Sequence, residues 1–314
     1  MINPARDGNT HVHLERISCD LCKADDPELL FREGQLDLVR CKNCSLVYVS
    51  PRLMEQQVRE LYDQEYFHAK DEFTKGTRIY RGGYRDYIGD QEYYYRTFQR
   101  RMDDIETYLQ RPGRVLDVGC AAGFFLYIAR QRGWQVEGVE LSNYVADYAT
   151  IQLGIKVYLG SLEDVRLEGE AYDLVTVWDT LEHISAPTQT LSKIYTLLKP
   201  EGLLVLSTQN IDSLIAIILG TRWPQMGNHL HLYHFSPRTI RLLLTNSGFH
   251  DINITRKSAG KVCSYRFLVD KLFAFNPILY KLANRTLKAY PTLARRAIYI
   301  NPGDEMIVYA CKTS

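Results

Sequence analysis

Four cysteines and two carboxylates are the residues whose type and spacing point most directly to chemistry. Cys19-Asp20-Leu21-Cys22 and Cys41-Lys42-Asn43-Cys44 are two C-x-x-C pairs with 18 residues between them. Each pair offers two sulfurs from one tight turn, so two pairs complete the four-thiolate tetrahedron of a structural zinc site. Cysteine fills every position, which leaves none open for catalysis. A redox dithiol is the other use of such a pair, but two matched pairs at this spacing favour the metal. Leu29-Leu30-Phe31 and Gln35 to Arg40 read as a hairpin around Glu33-Gly34, and so small a segment depends on its metal to fold.

The two carboxylates are Asp117 and Glu140, 23 residues apart. Asp117 lies in a short apolar run, Val115 to Val118, that reads as a buried parallel strand. A small-residue turn follows, Gly119 to Gly123, and Phe124 to Arg130 takes up helical spacing until Gly133. Strand, glycine turn and helix open a nucleotide-binding βαβ unit. A dinucleotide site requires G-x-G-x-x-G facing a pyrophosphate. Here the turn reads D-V-G-C-A-A-G, and Asp117 at its mouth repels a pyrophosphate. The carboxylate suits a ligand bearing an ammonium and a sulfonium, which describes S-adenosylmethionine. Glu140 ends the second strand, Trp134 to Glu140, where a carboxylate accepts both ribose hydroxyls.

Asp117 to Gly123 resembles motif I of the class I S-adenosylmethionine-dependent methyltransferases, and Glu140 matches the acid that closes their second strand. Ala121 replaces a frequent glycine. The resemblance runs from about Arg114 to Phe249. The ribbon, the phrase Ser45 to Arg52 after it and the class I domain together resemble bacterial methyltransferases of glycan and deoxysugar pathways. That resemblance implies methyl transfer to oxygen or carbon of a small-molecule, sugar or lipid-linked acceptor. It makes Asp117, Gly119, Cys120, Gly123, Glu140 and Leu141 cofactor contacts. The loop Gly160 to Asp164 is expected at the adenine, with Leu162 on the ring and Ser161 or Glu163 at the exocyclic amine. Trp178 would wall the cofactor or the acceptor.

The elements that must position these residues follow in order. A helix from Ser142 or Asn143 to Leu153, a strand Ile155 to Leu159, a strand Tyr172 to Trp178, a helix from Pro187 and a strand Leu203 to Thr208 complete the unit. This β-α-β-α-β order demands a parallel sheet with helices on both faces, an α/β Rossmann-like architecture. The resembled fold has seven strands and ends in an antiparallel one, here Met306 to Cys311. The expected layout is a zinc ribbon over residues 1–52, a helical cap over 53–112 and the methyltransferase domain over 113–314. Tyrosines crowd the cap, and Tyr87 and Tyr95 are candidates for an acceptor pocket. Most of the others are expected to pack with the hydroxyl at the surface.

On the acceptor side, Asp179-Thr180-Leu181-Glu182-His183-Ile184 follows the fourth strand at the ligand-binding edge of the sheet. His183 can serve as general base on an acceptor hydroxyl. The pair can also brace the loop, or bind a divalent ion as in similar ubiquinone-pathway O-methyltransferases. His229 is the second candidate base. His231 and His234 are expected to make loop-to-core hydrogen bonds.

Residues 257–303 read as a basic helical insertion. Arg256 to Ile300 carries ten basic residues against Asp270 alone, although the whole chain of 314 residues is only +1. An apolar stripe shares this stretch. The stripe packs on the core, meets a membrane surface, or helps to grip a phosphorylated acceptor. Base-reading motifs are absent, which argues against nucleic acid. No apolar run reaches transmembrane length, the N-terminus lacks a signal-peptide core, and seven cysteines without that signal suit the reducing cytoplasm.

Overall fold

The computed structural model describes residues 13–61, 64–67, 86–226, 230–275 and 277–313. An antiparallel ribbon comes first, with β1 (Pro27–Glu33), β2 (Leu36–Cys41) and β3 (Val47–Val49). A long helix α1 (Gln91–Tyr108) leads into β4 (Arg114–Val118), α2 (Phe124–Gln131), β5 (Gln135–Glu140) and β6 (Lys156–Leu159). Then come β7 (Tyr172–Trp178), α3 (Pro187–Leu197) and β8 (Leu198–Gln209). The last part contains β9 (Tyr233–His234), α4 (Pro237–Asn246), β10 (His250–Thr255), β11 (Lys261–Ser264), α5 (Tyr265–Phe275), α6 (Pro277–Ala289), β12 (Ala297–Ile300) and β13 (Glu305–Cys311).

Seven strands form the main sheet in the order β10-β13-β8-β7-β4-β5-β6. Neighbours from β8 to β6 are parallel, and β13 runs antiparallel to both β8 and β10. This is the expected α/β Rossmann-like sheet with an antiparallel last strand. Its strands are apolar on both sides because a strand points alternate residues to opposite faces. Leu116, Val175 and Leu206 join a core with Leu191 and Ile194 of α3 and Leu243 of α4. Val115, Leu174 and Val205 join the other with Met102 and Ile105 of α1 and Phe125 of α2. Leu206 is fully buried. Leu206→Ala is expected to cost about 2–5 kcal/mol, read as a shift in the urea midpoint.

Three features depart from the expectation. The ribbon does not end at residue 52: β9, from far along the chain, pairs antiparallel with β3 and makes a fourth strand of its sheet. The helix expected to reach Leu153 is α-helical over Asn143–Asp147 and continues as a π-type turn, Tyr148–Gln152. The basic insertion is a helical pair on a two-stranded base, β11 against β12. Val262, Ile298, Tyr299 and Ile300 give those strands their β-branched and aromatic side chains. No helix among the described residues is long and apolar enough to cross a membrane.

Candidate active site

Chain order reverses between β4 and β7: β5 and β6 lie on one side, β8 on the other. A crevice opens at the carboxyl ends of strands at such a switch point. Asp117 lies there, 2% exposed, and accepts a 2.7 Å hydrogen bond from Thr176 Oγ1. Burial pushes its carboxyl up to about 8; the Glu140 charge adds to the rise, while the Thr176 bond and the Arg101 charge oppose it. Gly119 turns the chain with φ +74°, and a Cβ there would lie 2.5 Å from Thr180 Oγ1. Only glycine lets the two loops approach so closely. Cys120 is buried with its sulfur against Gly138, and Gly123 enters α2 with φ +74°.

Glu140 is buried at the end of β5. Its Oε2 accepts from the Ala121 amide and its Oε1 from the Ser142 amide, both at 2.9 Å. Burial raises its pKa, and those amides pull the other way. The carboxylate therefore ties the glycine turn to the end of β5, and each oxygen keeps a further lone pair.

Arg101 is the residue that sequence reasoning missed. It comes from α1, is 1% exposed, and lies with its guanidinium 4.6 Å from the centre of the Trp178 ring. Its Nε and Nη2, and Trp178 Nε1, have no hydrogen-bond partner among the described residues. The legible signal was an arginine inside the apolar stripe of Phe98, Met102 and Ile105. A buried guanidinium in that position calls for an anionic partner.

The other expected contacts divide. Leu141 is exposed beside Glu140. Ser161 Oγ donates to Asp164 Oδ2 at 2.7 Å, and Arg59 Nη1 meets the same oxygen at 3.0 Å. Leu162 is 2% exposed within the core, so it supports the loop and offers no open face to a ring. Glu163 accepts from Thr190 Oγ1. Tyr87 is also core: it stacks on Phe124 at 5.3 Å. The Tyr95 hydroxyl donates to Gln91 Oε1.

On the acceptor side, Glu182 is fully buried. Its Oε2 accepts from Thr208 Oγ1 at 2.9 Å and its Oε1 from Gln209 Nε2. Burial and the charge of Asp179 push it up to about 8. His183 Nδ1 lies 2.9 Å from the Leu230 carbonyl oxygen, so Nδ1 carries the proton and Nε2 the lone pair. Desolvation pulls this imidazole down to about 4, which keeps it neutral near pH 7. Against its burial, Lys261 at 2.9 Å and the Arg101 charge hold Asp179 below the usual carboxylate range. Lys261 also meets Glu305 at 2.8 Å.

His229 lies outside the described residues. His231 and His234 are buried, and among the described residues neither ring nitrogen of His234 nor Nδ1 of His231 has a hydrogen-bond partner. The His231 and His234 rings lie edge to face, 6.2 Å apart. The loop instead brings His231 to Glu182 and His183, with one ligand atom of each within 4.8 Å of the others.

The ribbon holds this loop in place. Leu232 N donates to Glu182 O at 2.8 Å, and Val49 N of β3 donates to Leu232 O at 2.9 Å. Arg52 Nη1 donates to Ser185 O at 2.9 Å. Asp20, inside the first C-x-x-C pair, accepts from Thr188 N at 2.9 Å in the first turn of α3. The four thiols converge: the sulfurs of Cys19 and Cys44 lie 3.4 Å apart, those of Cys22 and Cys41 3.5 Å, and all four fall within 4.8 Å.

The pattern of a methyltransferase-domain family matches residues 90–254. A ubiquinone biosynthesis O-methyltransferase of Burkholderia vietnamiensis is 33% identical over 167 residues, covering 49% of this chain and 72% of the relative. The protein of that name from Burkholderia pseudomallei is 29% identical over the same length and coverage. Among solved structures, an S-adenosylmethionine-dependent methyltransferase of Thermotoga maritima superposes with a TM-score of 0.47 at 17% identity, covering 71% of this chain and 91% of that one. The chain belongs to the methyltransferase-domain family and is an S-adenosylmethionine-dependent methyltransferase.

Proposed function

We propose that the enzyme methylates a hydroxyl oxygen of a small-molecule acceptor of the sugar or lipid-linked kind. The observation that carries the cofactor part of this reading is the buried constellation of Asp117, Glu140 and Arg101 around one crevice. S-adenosylmethionine supplies, when bound, a sulfonium methyl that an acceptor atom displaces in line. Asp117 would face its cationic groups and Glu140 its ribose hydroxyls. Arg101, whose Nε and Nη2 have no hydrogen-bond partner among the described residues, suits its carboxylate. Gly119, Cys120 and Gly123 would bring backbone close to it. Leu141 and Ser161 would border the adenine, with Leu162 supporting their loop from the core, and Trp178 would wall the cleft.

Oxygen as the attacked atom is supported by the names of the relatives and by His183. A neutral imidazole with its lone pair on Nε2 can take a hydroxyl proton as the new bond forms, and His229 is the second candidate base. The protein's main contributions are alignment and exclusion of water. His183→Gln is expected to lower kcat about 10²–10⁴-fold with S-adenosylhomocysteine affinity unchanged. Near-full turnover in this variant would remove His183 as the base. The acceptor itself is sought by mass spectrometry of metabolites that gain one methyl group with the purified enzyme and cofactor.

Two metal assignments accompany this reading. Four sulfurs bound at about 2.3 Å to one tetrahedral zinc would lie about 3.8 Å apart. The observed spacing of the four thiols is close to that, which supports a structural zinc. Glu182, His183 and His231 support a second reading, in which they hold a divalent cation and the acceptor is polarised rather than deprotonated by a base. Activity that survives prolonged chelation with the four-cysteine metal retained would remove it.

A further inference from the structure

Helix α6 has two unlike faces. Leu287 points inward and is 6% exposed, and Asn284 on the inner side accepts a 2.7 Å bond from Arg266 of α5. The outer face carries Leu282 at 61% exposure, with Ile278 at 72% and Leu279 at 51% beside it. Lys281, Arg285 and Lys288 are exposed on the adjoining strip, at helical spacings of four and three. No acidic residue occurs between Asp270 and Asp304, and Tyr290, 63% exposed, follows the helix directly. A second exposed apolar set, Leu214, Ile217 and Ile218, lies on the short helix Leu214–Leu219.

Both segments leave the sheet at one edge. The Leu214–Leu219 helix follows the end of β8 at Gln209, and Gln209 pairs with Glu305, the first residue of β13 after the basic insertion. Thr255, the last residue of β10 before that insertion, pairs with Ile307. This is the edge at which the parallel strands present Asp117, Glu140 and Trp178. The insertion is also fastened to the helix that carries Arg101: Val262 N donates to Thr97 Oγ1 at 2.8 Å, and Tyr93 Oη donates to Arg295 O at 2.7 Å.

We propose that the outer face of α6, together with the Leu214–Leu219 helix, docks the enzyme on the surface of an anionic lipid bilayer. Charge complementarity selects this occupant. A wholly basic strip beside an apolar one fits a plane of anionic headgroups over acyl chains, with Tyr290 at the boundary. Docking would bring the mouth of the crevice to the interface, where an acceptor carried on a lipid resides. That last step rests on the crevice being the methyl-transfer site; the docking itself does not.

The test is co-sedimentation of the full chain with vesicles of phosphatidylcholine alone or mixed with phosphatidylglycerol, with no acceptor present. Binding is expected only with phosphatidylglycerol and should weaken as salt rises. Lys281→Gln, Arg285→Gln and Lys288→Gln combined should weaken it about 100-fold. Leu279→Ser with Leu282→Ser should remove the binding that persists at high salt. S-adenosylhomocysteine titration of each variant verifies folding and keeps a failure of docking distinct from a failure of the cofactor reading. Absence of wild-type binding to the anionic vesicles, or unchanged binding in both variants, overturns the proposal. So does self-association through the same face without vesicle binding.

Discussion

On the proposed four-cysteine zinc site, removing the metal, or Cys41→Ser, is expected to cut methyl transfer at least about 100-fold and leave S-adenosylhomocysteine affinity within about threefold. The asymmetry follows from what the ribbon touches. The ribbon has a small separate core of Leu38, Val47 and Val49, while Leu21, Val39, Leu46 and Tyr48 join the main core. A four-thiolate zinc contributes roughly 10–16 kcal/mol in such a segment. Loss of the metal frees β3, and with it the partner strand β9 and the bond from Val49 N to Leu232 O. Leu232 then no longer fixes the backbone at Glu182, and Asp20 no longer caps the first turn of α3. A catalytic group displaced by about 1 Å loses about 100-fold in rate. Asp117, Gly119 and Glu140 rest instead on β4, β5 and the Thr176 hydroxyl, none of which the ribbon strands pair with. Full turnover by protein shown to be metal-free by mass spectrometry would sink this account. So would a cofactor affinity that falls in step with the rate.

The parallel sheet was legible because both of its faces are covered. Val115 to Val118, Tyr172 to Trp178 and Leu203 to Thr208 are mostly apolar runs broken by few polar residues, and the glycines at 119, 133 and 154 mark where each unit turns. Long-range pairing was not legible. Tyr233–His234 is two residues long, and nothing local in it says that its partner is Val47–Val49. Nor did apolar character reveal burial. Ile211 to Leu219 is strongly apolar, yet Leu214, Ile217 and Ile218 are among the most exposed apolar side chains of the described residues.

The same division holds in the site. Asp117, Gly119 and Glu140 announce themselves because one short turn and one strand end carry them at fixed spacing. Arg101 gave only the weak signal of an arginine inside an apolar stripe, because its role depends on how α1 lands on Trp178. His231 meets Glu182 and His183 only because β9 joins the ribbon. Leu162 has its side chain in the core, which a linear reading of Gly160 to Asp164 does not show.

Raising the pH from 7 to 9 is expected to tighten S-adenosylmethionine binding about tenfold more in the wild type than in Asp117→Asn. The sign comes from burial. Asp117 in the cofactor-free protein is held up to about 8, so it is mostly protonated at neutral pH. A cationic ligand favours its carboxylate, so binding near pH 7 must expel a proton. Affinity therefore falls as the pH drops below about 8 and levels off above it. The neighbours do not reproduce this. Burial raises Cys120 well above its ordinary range, so it stays a thiol, and the Arg101 charge is present in both proteins. The ligand's own α-amino group loses its proton near pH 8, but equally for both, which is why the difference between them is the quantity to read. Stability of the cofactor-free protein should move the other way. A carboxyl whose folded pKa is raised binds more protons folded than unfolded, so that stability declines as pH rises from about 4 through about 8. Cofactor binding then offsets a penalty that grows with pH, and the ligand-induced rise in Tm should grow with it. Titration curves of wild type and Asp117→Asn that run parallel from pH 7 to 9 would show that the cofactor's charge is met by some other group.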